Sequence, residues 1–128
     1  MRKQVDLKAW LERWSYSDRV KQRTAPFLYL LLKDKTDEFV KDFLIAASQV
    51  ISDVRCDRIS PEEADGFFTL IDLFAAEAGV EEDLPEPIIR LIGEGILFHD
   101  HGTEFGPDLD WMENTIKEYV AEIQRRPT

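Results

Sequence analysis

A chain of 128 residues that is 44% hydrophobic and 33% charged has the make-up of one folded domain with its own core, which excludes a disordered segment. Its net charge of −10 sets most of the surface against nucleic acid, so no nucleic-acid partner is expected. The single cysteine, Cys56, excludes an intrachain disulfide framework and suits a reducing compartment.

The longest apolar run, Ala25 to Leu32, is far shorter than the roughly 20 residues that cross a bilayer. The opening MRKQVDLKAW carries no apolar leader segment or cleavage pattern. Together these features predict a cytoplasmic protein with no membrane partner. Charge is distributed unevenly. Residues 1–35 hold nine Lys/Arg against four Asp/Glu, a net of +5, and residues 36–128 hold seven against 22, a net of −15.

Helical periodicity runs through the chain, and no strand-like alternation appears. Residues 5–22 predict a first helix with Leu7, Trp10, Leu11 and Trp14 on its apolar stripe, weakened around Ser15 to Ser17. The two tryptophans are expected in the core, with a partner-binding anchor as the alternative. A short buried helix is expected from Thr24 or Ala25, with Pro26 in its first turn.

Thr36 is expected to cap the next helix, whose stripe is Phe39, Val40, Phe43, Leu44, Ala46, Ala47, Val50, Ile51 and Val54, with Ile45 out of phase. After the connector RCDRI comes the most strongly marked helix. Ser60 caps it, Pro61 and two glutamates open it, Ala64, Phe67, Phe68, Ile71, Phe74, Ala75 and Ala78 form its stripe, and Gly79 closes it. These two helices form a hairpin over 36–79, around which we expect a single all-α domain, 1–128, of five or six helices.

Beyond the hairpin, Glu81 to Pro87 is an acidic, proline-stiffened connector. Ile88 to Phe98 reads as helix, interrupted by Gly93-Glu94-Gly95, a pairing that predicts a close crossing or a bend. His99 to Asp108 is a loop by composition. A final helix follows, capped by Asp108, with Leu109, Met112, Ile116, Tyr119, Val120 and Ile123 inward and Trp111 off the centre of that stripe.

The motifs with chemical potential are few. An EF-hand reading of Asp53 to Ala64 fails because Arg55 and Arg58 occupy positions that need an oxygen ligand and a glycine. The His99-Asp100 pair lacks the upstream histidine of HD-type phosphohydrolases, and Glu62-x-x-Asp65 lacks the second acidic motif of MazG-type pyrophosphatases. Cys56 has arginines nearby but no local histidine to act as base. The 99–110 segment does crowd imidazole and carboxylate, so His99, His101 and Glu104 are the candidate metal ligands, and a metal-dependent hydrolase is the alternative function.

The main expectation is a non-enzymatic interaction domain that needs no cofactor. Between Glu77 and Glu113 there are eleven carboxylates and one arginine, Arg90. Such a field speeds encounter with basic proteins and disfavours wrong partners. An inhibitor, an immunity protein or an adaptor would use it, as would a homo-oligomer that sets the basic head of one copy on the acidic body of another. Glu81, Glu82, Asp83, Glu86, Asp100, Asp110 and Trp111 are the candidate partner-binding residues.

Overall fold

In the computed structural model, which describes residues 4–126, six α-helices and two 3₁₀ segments follow one another, with no strand among the described residues. They are α1 (Leu7–Glu12), α2 (Asp18–Leu32), α3 (Thr36–Arg55), α4 (Pro61–Ala78), α5 (Glu86–Gly95) and α6 (Leu109–Arg125). The 3₁₀ segments are Glu81–Asp83 and Ile96–Asp100.

α4 is the hub. It packs against α2, α5 and the Ile96–Asp100 segment, while α3 bridges α2 to α6, and α6 in turn packs on α5. The reason lies in its sequence. Phe67, Phe68, Leu70, Ile71 and Phe74 all have no exposed surface, so the apolar arc is wider than a single stripe. Phe67 and Phe68 meet edge to face at 5.1 Å, Phe68 stacks on Phe98 at 5.9 Å, and Trp10 meets Phe74 at 5.1 Å. Aromatic pairs in these geometries are worth about 0.5–1.5 kcal/mol beyond their area. Trp10 is therefore a core residue. Trp14 is half-buried beside it, at 5.6 Å between ring centroids.

The caps agree with the sequence where the residue has one clear role. The Ser60 hydroxyl accepts from the Glu63 N–H at 3.1 Å, Gly79 adopts a left-handed φ of 73°, and the Asp108 carboxylate accepts from the Trp111 N–H at 3.0 Å. Every expected stripe residue of α3 is buried except Ala46, which is half-buried, and Ile45 is 71% exposed.

In the second half of the chain α5 opens at Glu86, inside the expected connector, and gives way after Gly95 to a 3₁₀ segment. That segment takes in residues 96–98, expected as helix, and His99 and Asp100, expected as loop. Three boundaries in the first half also differ from expectation. The helix expected over 5–22 ends at Glu12, because Ser17 caps a new helix by accepting from the Val20 N–H at 3.2 Å. The short helix expected from Thr24 or Ala25 is instead the second half of α2, and Pro26 lies in its interior. An interior proline costs about 3 kcal/mol. Burial of Val20, Leu28 and Leu31 on both sides of it, at about 1.5–3 kcal/mol each, outweighs that cost. Thr36 is the first helical residue of α3 rather than its cap, and Lys35 in the cap position makes no side-chain bond. The Lys35 N–H is already committed to closing α2, donating to the Leu30 carbonyl at 2.9 Å across Asp34, whose φ is 61°.

The glycine pair divides its work. A Cβ at Gly95 would fall within 3.0 Å of the Phe68 ring, so this residue makes the close crossing of α5 on α4. Gly93 has nothing within 4 Å of the same position. No helix of the described residues is long and apolar enough to cross a membrane.

Candidate functional site

The acidic connector becomes a short, pinned turn. Val80 and Leu84 are buried on either side of it, at 1% and 6% exposure. The Asp83 N–H donates to the Val80 carbonyl at 3.0 Å, and the Leu84 N–H to that of Glu81 at 3.1 Å. Anchored at both ends, the turn holds Glu81, Glu82 and Asp83 exposed to solvent. Glu86 follows at the start of α5 and is also exposed.

α5 and α6 enclose a groove of about 310 Å³. Glu86, Pro87 and Arg90 line one wall; Trp111, Thr115, Glu118, Tyr119 and Glu122 line the other. The Arg90 guanidinium lies over the Trp111 ring, 5.3 Å from its centroid. Arg126, outside the groove lining, sits 6.0 Å from the Tyr119 ring centroid and 3.1 Å from a Glu122 oxygen. The groove thus already shows the chemistry it favours, a guanidinium on an aromatic face beside carboxylates. Among the described residues Glu81, Glu82, Asp83, Glu86 and Glu118 have no ion-pair partner. Their charge is left for solvent or for a partner.

Other carboxylates of the acidic half serve the fold. Arg55 of α3 reaches Asp110 at 3.0 Å and Glu113 at 2.7 Å, tying α3 to α6. The Glu113 hydrogen bond is the main cause that holds the Arg55 guanidinium above its ordinary pKa. Glu94 accepts from the Asp108 N–H at 2.7 Å, and Asp108 caps α6. Of the residues expected at a partner surface, the structure therefore groups Glu81, Glu82, Asp83 and Glu86 around the start of α5, with Trp111 across the groove from Glu86. Asp110 is tied up with Arg55, and Asp100 lies 3.0 Å from the His99 Nε2.

The His99–Asp108 segment is folded back on itself. The Thr103 N–H and hydroxyl both donate to the Asp100 carbonyl, at 3.1 and 2.7 Å, and the Gly106 N–H donates to that of Thr103 at 3.2 Å. The His99 Nδ1 contacts the Ile96 carbonyl at 2.6 Å, so both ring nitrogens already have protein partners. Among the described residues no group of three or more His, Cys, Asp or Glu is placed to hold a metal ion. His99, His101 and Glu104 are not gathered into a ligand set.

Arg90, Glu118, Tyr119 and Glu122 are groove residues not expected at a binding site from the sequence, where Arg90 stood only as the lone cation of the acidic field and Tyr119 only on the inward stripe of the last helix. The signal was available in the helical period, since Trp111, Thr115, Glu118 and Glu122 recur at steps of four, three and four, as Glu86 and Arg90 do at four. Comparison with protein families, with characterised proteins and with solved structures finds no match to this chain.

Proposed function

We propose that this domain binds a basic protein partner through the face formed by the Glu81–Asp83 turn, α5 and the α5/α6 groove, and that it acts without catalysis. The observation that carries this reading is the coexistence of five unpaired carboxylates with a groove in which the Arg90 guanidinium already lies over the Trp111 ring. A partner's lysines would meet the carboxylates of the turn, and its arginines would compete for the rings and glutamates of the groove. Each exposed ion pair contributes about 0.2–1 kcal/mol, so affinity requires several at once. The field is more effective at speeding encounter and rejecting acidic proteins than at deep binding.

The test is a side-by-side capture from lysate of the source cell with the native chain and with a Glu81→Lys/Glu82→Lys/Glu86→Lys variant. At about 50 mM salt the native chain should retain a basic protein that the variant does not, and about 500 mM salt should release it. Recovery of the same proteins by both chains would refute the proposal.

A further inference from the structure

A second hollow, of about 170 Å³, lies between α4 and α5, lined by Asp72, Ala75, Glu81, Leu84, Ile89 and Ile92. Its floor is apolar, with Ala75, Leu84 and Ile92 all buried, while Ile89 stands on its rim at 46% exposure. Its edges are anionic. Asp72 flanks it from α4 and Glu81 from the turn, and neither has an ion-pair partner among the described residues.

These two properties select the occupant. An acidic side chain would be repelled at the rim and left unpaired on the apolar floor. A lysine or arginine would satisfy the rim but cover the floor only with an unbranched methylene stem, which fills it less fully than a branched aliphatic side chain. An aliphatic side chain flanked by cations satisfies both, and an amphipathic helix carries that pattern on one face, with the cations three or four residues either side of the anchor. We infer that this hollow is the specificity pocket of the acidic face, and that it seats one leucine or isoleucine of a basic amphipathic helix. This inference rests on the proposed function and names the kind of partner. The carboxylates attract any basic chain, and the hollow distinguishes one that also carries the anchor.

Ile89 separates the two contributions. Replacing it with glutamate adds a negative charge to the face, so purely electrostatic attraction would tighten. An apolar anchor would instead lose the rim it packs on. The experiment measures fluorescence anisotropy of two labelled synthetic helices at about 50 mM salt. One is built of alanine and lysine with a single central leucine flanked by lysines three and four residues to either side, and the other carries alanine in place of that leucine. Circular dichroism confirms that Ile89→Glu keeps the native helix content.

The leucine peptide should bind the native chain at least about tenfold more tightly than the alanine peptide, the ratio expected for one partly buried aliphatic side chain. Ile89→Glu should weaken the leucine peptide by about tenfold and leave the alanine peptide unchanged or tighter. Equal binding of both peptides, or tighter binding of both by Ile89→Glu, would overturn the anchor while leaving the charge-based reading in place. Failure of both peptides to bind the native chain at all would bring down the anchor and the charge-based reading together.

Discussion

Two alanine substitutions two residues apart in α5 should change stability in opposite directions. At Gly95 a Cβ would come within 3.0 Å of three carbons of the Phe68 ring, where carbon atoms prefer about 3.5–4.0 Å. The ring cannot retreat. Phe68 has no exposed surface and sits between Phe67 at 5.1 Å, Phe43 at 5.9 Å and Phe98 at 5.9 Å. Overpacking of this kind costs about 1–3 kcal/mol or more, against a gain of about 1 kcal/mol in helix propensity. With backbone and ring both fixed in place, we expect the upper part of that range and a net loss of about 1–2 kcal/mol for Gly95→Ala.

At Gly93 the new methyl group meets nothing within 4 Å, so only the propensity gain of about 0.5–1 kcal/mol remains. For a domain of this size each kcal/mol moves the melting temperature by roughly 3–5 °C. Thermal unfolding followed by far-ultraviolet circular dichroism should place Gly95→Ala below the native chain and Gly93→Ala above it. A Gly95→Ala protein as stable as Gly93→Ala would refute the crossing of α5 on α4 described above.

Further substitutions follow from the same structure. Asp57, two residues beyond the end of α3, has a φ of 57°, and there the Arg58 N–H donates to the Asp53 carbonyl at 2.8 Å; Asp57→Gly should raise stability by a few tenths to about 1 kcal/mol in urea titration. Arg55→Met removes the tie between α3 and α6, and because the three side chains are substantially exposed the loss should be only about 0.5–1 kcal/mol, shrinking at high salt. Burial, and then the neighbouring Asp65 charge, raise the Tyr16 hydroxyl above its ordinary value. The native state thus favours the neutral phenol, and this contribution is intact below about pH 10 and lost as pH rises through the higher folded value. Native protein should lose stability in that alkaline window faster than Tyr16→Phe, and parallel curves would contradict the assignment.

The elements most legible in the sequence were those whose local signals coincide. In α4 the cap, the opening proline, the stripe and the closing glycine all specify one helix, and the structure has it with those bounds. The α2 boundary was not legible, because Pro26 signals a helix start locally while the burial of Leu28 and Leu31 is a tertiary fact that overrides it. The same limit applies to the surface. Acidic composition identified which segment is charged, but not that Asp110 answers Arg55 of a distant helix while Glu81 to Glu86 stay unpaired. That division depends on how α3 docks on α6. The α5/α6 groove was partly readable, since its α6 wall is one helical face, but its α5 wall required the packing of two helices.

The proposed binding face is tested most directly by two triple charge reversals that leave the molecule with the same net charge. Glu81→Lys/Glu82→Lys/Glu86→Lys alters the proposed face, and Glu12→Lys/Glu38→Lys/Asp42→Lys alters exposed carboxylates elsewhere. Titrated with the labelled single-leucine helix at about 50 mM salt, the first should lose at least about tenfold in affinity, equivalent to about 1.4 kcal/mol, while the second stays within about threefold of native. Equal losses from the two variants would show that only overall charge matters and would contradict a defined binding face on α5.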